Sequence, residues 1–239
     1  MSLDERKREV PGDFDRIAGS YDLMTGMNPG YHRHLRMSAE RLELEGSRPR
    51  ILDLCCGTGL STEALAAVYP RAELVALDAS AGMLEVARRK PVLRGARFIH
   101  GDATDPRAAG VDGDFDGVLM AYGLRNLPDP DRGLANIIAL LRPGGRLCLH
   151  EYSVRGSWRS RLVWDAVCWG IIVPGGMLTA RGSGIYRYLR RSVVDFDSVT
   201  ELEARMKGAG FTKVWTGPMD GWQRGIVHSF VGTKPSGRA

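Results

Sequence analysis

Ile51-Leu52-Asp53-Leu54 is an apolar run carrying one acid, and it passes straight into Cys55-Cys56-Gly57-Thr58-Gly59 and the helix-like Leu60-Ser61-Thr62. A buried strand that ends on a glycine turn ahead of a helix is the opening unit of an open α/β sheet, since glycine takes the backbone angles of a tight turn without steric cost. The pattern repeats along the chain. Glu73-Leu74-Val75-Ala76-Leu77-Asp78 reads as a second strand, Arg97-Phe98-Ile99-His100-Gly101-Asp102-Ala103 as a third, 114–122 as a fourth and 141–149 as a fifth. Helix-like segments at 64–68, 83–89 and 132–141 supply the crossovers that parallel strands require, and right-handed crossovers place helices on both faces. The expected fold is α/β, a mostly parallel Rossmann-like sheet flanked by helices. Aromatic and aliphatic residues at helical spacings over about 14–45 predict a helical cap before the first strand. A Trp/Arg-rich stretch over 157–191 predicts a helical lid insert after the fifth. Residues 1–12 are polar and read as a flexible tail, leaving 13–235 as a single domain.

The acids narrow the ligand. A dinucleotide fingerprint needs a third glycine where this chain has Thr62, and it keeps its acid for the next strand. Here Asp53 already lies inside the first strand, which suits a cationic nucleoside such as S-adenosylmethionine better than a pyrophosphate. Asp78 stands roughly 20 residues beyond the glycines, where a carboxylate accepts from both ribose hydroxyls, and Asp102 is placed to accept from an adenine amino group. Each acid alone is equally well a surface strand end. Three at successive strand ends converge on one crevice, a pattern that resembles the class I S-adenosylmethionine-dependent methyltransferases.

Composition excludes more than it assigns. The 239 residues, 44% hydrophobic, suffice for one substantial core. The net charge of +5 is spread rather than clustered, and neither a Pro-Cys pair nor an Asn/Asp-Pro-Pro-aromatic segment appears, so nucleic acid is not the expected partner. Cys55, Cys56, Cys148 and Cys168 lack metal spacing and read as buried thiols, three of them in core strands, in a reducing compartment. The first twelve residues lack an apolar signal region, and no apolar run reaches membrane-span length. A cytoplasmic protein follows, with peripheral contact at the inner membrane face left open by Trp158, Trp164 and Trp169 among arginines.

Narrower motifs carry a second resemblance. Phe14-Asp15-Arg16-Ile17-Ala18-Gly19-Ser20-Tyr21-Asp22, Gly30-Tyr31-His32-Arg33-His34 and above all Tyr122-Gly123-Leu124-Arg125-Asn126-Leu127 are similar to the UbiE-like ubiquinone/menaquinone biosynthesis C-methyltransferases. So are Glu151-Tyr152-Ser153, Val173-Pro174-Gly175-Gly176, 186–192 and Gly225-Ile226-Val227-His228, and the likeness spans about 13–235. It implies methyl transfer from S-adenosylmethionine, with S-adenosylhomocysteine as product, to a ring carbon of a lipophilic hydroquinol such as demethylmenaquinol, without a metal. It also implies cofactor binding by Asp53, Gly57, Gly59, Thr62, Asp78, Ala79, Met83, Asp102, Ala103 and Ala121. Arg125 is the first choice to stabilise charge on the acceptor oxygen, with Asn126 orienting it; a structural ion pair is the alternative for Arg125. His150 or Glu151 is the candidate base, Tyr21 faces cofactor or acceptor, and His32 lines the entrance. A homodimer is left open.

Three departures from the family pattern are visible. The loop 105–112 lacks a Leu-Pro-Phe turn, Leu60 replaces an acid after the glycines, and Trp222-Gln223-Arg224 alters a glycine-rich element. They keep a second reading in play, an O- or N-methyltransferase of a lipophilic secondary metabolite. A third is a protein that binds S-adenosylmethionine without catalysis, or a nicotinamide enzyme.

Overall fold

The computed structural model describes residues 3–173 and 185–237. Two helices, α1 (Leu3–Gly26) and α2 (Tyr31–Glu40), precede β1 (Arg50–Leu54). Then follow α3 (Leu60–Val68), β2 (Glu73–Asp78), α4 (Ala81–Arg88), β3 (Arg97–His100), β4 (Phe115–Ala121), α5 (Pro130–Leu140) and β5 (Leu141–Tyr152). The chain continues through α6 (Trp158–Val167), α7 (Ile185–Asp195), α8 (Val199–Gly208), β6 (Thr212–Pro218) and β7 (Val227–Thr233). The seven strands lie in the order β3-β2-β1-β4-β5-β7-β6, with β7 antiparallel to both neighbours and the first five parallel.

Strand parity decides which residues meet which helices. Ile51, Leu119, Cys148 and Val231 face α2 and α3, packing against Leu35, Leu42 and Leu65. Leu52, Val118, Leu147 and Phe230 face α5 and α8, packing against Leu134, Ile137, Leu202 and Met206. A sheet buried on both faces reads as continuous apolar runs, which is why β1, β2 and β4 stand out in the sequence. The order reverses direction at β1, whose neighbours β2 and β4 leave for opposite sides, and a crevice opens beyond their C-terminal ends.

The α/β expectation holds, with local corrections. Residues 3–12 are not a loose tail: they continue α1, with Pro11 inside the helix, and Val10 is buried against Tyr188. β3 stops at His100, so Asp102 lies in the following turn. Its carboxylate accepts from Thr104 N there, exposed to solvent. Cys55 and Cys56 sit in the turn after β1 rather than in a strand; all four cysteines are free thiols. The insert contains α6, a π-helical turn at Cys168–Ile172 and α7, which runs past 191 to Asp195. Pro174, Gly175 and Gly176 lie outside the described residues. No described helix is long and apolar enough to cross a membrane.

Candidate active site

The turn after β1 is built from left-handed residues. Cys55, Gly57 and Gly59 have φ of 58°, 55° and 85°. At Gly59 a Cβ would stand 2.7 Å from the Leu93 side chain, so only glycine lets α3 start this close to its neighbours. At Gly57 a Cβ would meet nothing within 4 Å, and that open side is part of a cavity lined by Tyr21, Tyr31, Cys55, Gly57, Thr58 and Ala121. Asp78, at the end of β2, ties the turn down: its two oxygens accept from Gly57 N at 2.7 Å and Ser80 N at 2.8 Å. Each oxygen keeps a second lone pair for a ligand donor. Burial raises the Asp78 carboxyl above the usual range, against the pull of those two N–H groups.

Asp53 lies beneath the turn. Its Oδ2 accepts from Ser61 Oγ at 2.7 Å and Thr62 Oγ1 at 2.6 Å, binding β1 to the first turn of α3. Its Oδ1 is buried and has no donor. Burial pushes the carboxyl up to about 7, the two hydroxyls restrain that rise, and the Asp78 charge adds to it.

Helix α1 roofs this end of the cleft. Asp22 accepts from Thr58 Oγ1 on the glycine turn and pairs with Lys90 Nζ at 2.8 Å. One turn pair earlier, Asp15 accepts from Ser80 Oγ at 2.6 Å and Gly82 N at 2.9 Å, at the N-terminus of α4 where a carboxylate is favoured. Between them Tyr21 faces the cavity, and Ile17 and Ala18 cover Met83.

Beyond β4 the character of the site changes from carboxylates to aromatic rings. Tyr122 is the second strained residue of the crevice, with φ of 56°, and it adjoins Gly123, where a Cβ would stand 2.8 Å from Cys55. Its carbonyl accepts from Arg125 Nη1 at 2.8 Å and Asn126 Nδ2 at 3.0 Å. Arg125 also donates to Glu151 Oε1 at 2.7 Å, and this pair is 4% and 1% exposed. Burial pulls the guanidinium down, but Glu151 and neighbouring phenols more than offset it and leave it above its ordinary value. Arg125 Nε is buried without a partner, and the guanidinium lies 5.2 Å from the Tyr152 ring centre. Asn126 Oδ1 accepts from Tyr188 of α7 at 3.0 Å.

The crevice therefore gathers Tyr21, Gly57 and Ala121 around one cavity, with Asp78 directly behind Gly57. Thr62 and Asp53 are fully buried and bound to each other, so Thr62 supports the turn from below rather than lining the cavity. Gly59 packs against Leu93 and Met83 against Ile17 and Ala18, Ala103 is buried in the main core, and Ala79 presents a carbonyl that faces His100. Asp102 stays at the rim. His150 is corrected as a base facing the acceptor: it is completely buried, with Ser38 Oγ 2.7 Å from Nδ1 and Tyr122 Oη 2.9 Å from Nε2. Burial, then the charges of His34 and Arg41, push its pKa down to about 3. His32 on α2 is exposed. Missed by sequence reasoning were Asp15 and Asp22, the α1 latches, and the rings Tyr31 and Tyr152 that flank Tyr122.

The chain matches the model of the ubiE/COQ5 methyltransferase family over residues 1–234. It is 34% identical to a demethylmenaquinone methyltransferase of Clavibacter sepedonicus, over 99% of this chain and 94% of that protein. To the ubiquinone/menaquinone biosynthesis C-methyltransferase UbiE of Stutzerimonas stutzeri it is also 34% identical, over 97% of this chain and 91% of that one. Among solved structures, a SAM-dependent methyltransferase from Thermotoga maritima superposes with a TM-score of 0.66 at 20% identity, covering 93% of this chain and 98% of the other. The [4+2]-cyclase SpnF superposes with a TM-score of 0.71 at 17% identity, covering 97% of both chains. These last two likenesses concern the fold alone.

Proposed function

The chain belongs to the ubiE/COQ5 methyltransferase family, and from that premise we propose that it methylates a ring carbon of a lipophilic hydroquinol such as demethylmenaquinol. It is a methyltransferase that uses S-adenosylmethionine, the cofactor class of its family and fold. The residues present fit that cofactor. The free lone pairs of Asp78 are acceptors for a nucleoside, the buried Asp53 carboxylate sets negative charge beneath the turn for a cationic one, and the open side of Gly57 leaves room for it. When bound, S-adenosylmethionine supplies an electrophilic methyl group on a sulfonium, which leaves with its electron pair as S-adenosylhomocysteine.

Every other requirement falls on the chain. Asp78 is assigned to the ribose hydroxyls, Asp53 to the cationic end, and Tyr21, Gly57 and Ala121 to the walls. Asp102 and Ala79 are assigned to the adenine side, Met83 and Ala103 to the packing beneath it, and Gly59 and Thr62 to the shape of the turn. A ring carbon attacks well only when an adjacent hydroxyl has lost its proton, and the ring must then shed the hydrogen of the methylated carbon to become aromatic again. One proton returns to the ring oxygen and one leaves to solvent, since His150 and Glu151 are buried and engaged. Arg125, cationic throughout, is assigned to stabilise the developing oxyanion, and Asn126 to hold the turn that presents it. The observation that carries this reading is a single buried guanidinium set among Tyr122, Tyr152 and Tyr188 beside the cofactor cavity. Aromatic walls around one fixed cation suit a flat ring that becomes anionic. The O- or N-methyltransferase reading is not favoured, because the full-length relatives carry quinone-biosynthesis names.

The acceptor's lipid tail suggests a place for the insert. Trp158, Leu162, Trp169 and Ile171 are 72%, 62%, 54% and 69% exposed, and the exposed Arg159 and Arg161 lie among them, a composition that rests on an anionic lipid surface. The same face is the candidate for a homodimer, and sedimentation with and without anionic vesicles separates the two. The test of the reaction is transfer of labelled methyl to short-chain demethylmenaquinol, beside its oxidised quinone and a simple phenol. Label on ring carbon with the reduced acceptor alone supports the reading. No label, with cofactor binding confirmed in the same sample, removes it.

A further inference from the structure

Several residues of the crevice converge on Tyr122. Tyr122 donates its N–H to His150 O at 2.7 Å, and its carbonyl takes hydrogens from Arg125 and Asn126. Its ring stacks on Tyr31, a cavity wall, with centroids 5.8 Å apart and planes 21° from parallel, and leans on Tyr152 at 4.7 Å. A non-glycine residue held at φ 56° by this many partners is strained and over-determined, a combination found at working positions.

Behind the phenol runs a buried line of hydrogen bonds. His150 Nδ1 lies 2.7 Å from Ser38 Oγ, Ser38 Oγ lies 2.7 Å from Ser229 Oγ, and Arg41 Nη1 donates to Ser229 Oγ at 3.0 Å. One end of the line is fixed, because a guanidinium can only donate. With Arg41 giving a hydrogen to Ser229, the cooperative arrangement passes Ser229 to Ser38 and Ser38 to Nδ1 of His150. His150 is completely buried and stays neutral, so its one ring hydrogen belongs on Nε2. Nε2–H then donates to Tyr122 Oη at 2.9 Å, and the phenol's own hydrogen is left for a group outside the line. Burial keeps that phenol protonated by raising it well above its ordinary value.

We propose that Tyr122 is a catalytic residue, its hydroxyl donating to a ring oxygen of the acceptor, and that Arg41, Ser229, Ser38 and His150 are positioning residues that keep this hydrogen available. The proposal rests on the hydroquinol reading. A neutral donor aimed at an oxygen that gains charge during methyl transfer strengthens as the reaction proceeds, and in a dry site it needs no reorganisation. His150 acts through Tyr122 and moves no proton itself.

Three measurements test this. In protein labelled with ¹⁵N at histidine, with the His150 signals identified by their loss in His150→Gln, the hydrogen is expected on Nε2; a hydrogen on Nδ1 overturns the proposal. Tyr122→Phe is expected to bind S-adenosylmethionine within about twofold of wild type while kcat on the reduced acceptor falls about 10- to 100-fold. Unchanged kcat overturns it. Ser38→Ala is expected to shift the His150 tautomer and lower kcat several-fold, and to add nothing in the Tyr122→Phe background. Additive losses would make Ser38 merely structural. Should wild-type protein bind the cofactor and methylate no quinol, the acceptor reading falls and Tyr122's role with it. The tautomer measurement needs no substrate, so it still decides the direction of the line.

Discussion

The two halves of the crevice are held together in different ways. On the β1–β2 side, side chains are fixed by backbone and by hydroxyls nearby in sequence: Asp78 by Gly57 N and Ser80 N, Asp53 by Ser61 and Thr62. On the β4–β5 side they are fixed by one another across the chain, as in Arg125 with Glu151 or His150 with Ser38. The first half is specified mostly within residues 53–80, with α1 latching it from outside. The second exists only once α2, β4, β5 and β7 have come together, so its residues are tolerant of position in sequence and intolerant of loss in space.

Four experiments sharpen that contrast, and the largest effect belongs to the second half. Glu151→Ala strands Arg125 as a buried cation without its counter-ion, and the expected loss is about 3–5 kcal/mol of folding stability. Urea denaturation measures it; a loss below about 1 kcal/mol would mean the pair is solvated and the contrast is false. Asp78→Asn removes the charge from the acceptor of the ribose hydroxyls, and calorimetry is expected to show S-adenosylmethionine affinity weaker by about 1.5–3 kcal/mol. Unchanged affinity takes Asp78 out of the site.

The third experiment uses pH. The Asp53 carboxyl titrates near 7 in the folded chain against an ordinary 3.8. The folded state therefore binds this proton more tightly than the unfolded state, and Asp53 lends stability at low pH that is lost as pH rises from about 4 to 7. A cationic ligand selects the ionised form, so cofactor affinity is expected to rise up to about tenfold between pH 6 and 8. Asp53→Asn should flatten that profile, and a profile left intact would show that another group controls it. The smallest effect is expected from Thr58→Val, which cuts the hydroxyl link to Asp22 at about 0.5–1.5 kcal/mol, read as a shift in thermal midpoint.

The same contrast explains what could be read from the residues in order. The sheet was legible because buried parallel strands are continuous apolar runs, and Asp78 and Gly57 were legible because their geometry is local. Tyr122 was visible only as the aromatic opening of a motif; that His150 touches it depends on the β4–β5 register, which pairs Ala121 with His150. Ser38 and Ser229 carry no signal of their own, being hydroxyls on a helix and a strand 191 positions apart. Residues 3–12 looked loose because their composition is polar and includes Pro11, which costs a helix interior about 3 kcal/mol. Their helix is secured by partners far along the chain, Val10 on Tyr188 and Lys7 Nζ on Leu127 O. Asp15 and Asp22 stood in the sequence only as members of a motif, because their partners Ser80, Gly82 and Thr58 lie far along the chain.

The roof that α1 forms has a practical consequence for anyone handling this enzyme. Its first turns reach α7 and the segment after Arg125, and its later turns hold the glycine turn and α4. A tag fused ahead of residue 1 hangs from the element that latches the glycine turn and α4. The other terminus leaves the sheet beside Gly145, near the start of β5 and at the opposite end of the strands from the crevice. Immobilisation, labelling and fusion belong there, where pulling on the chain does not pull on the reaction.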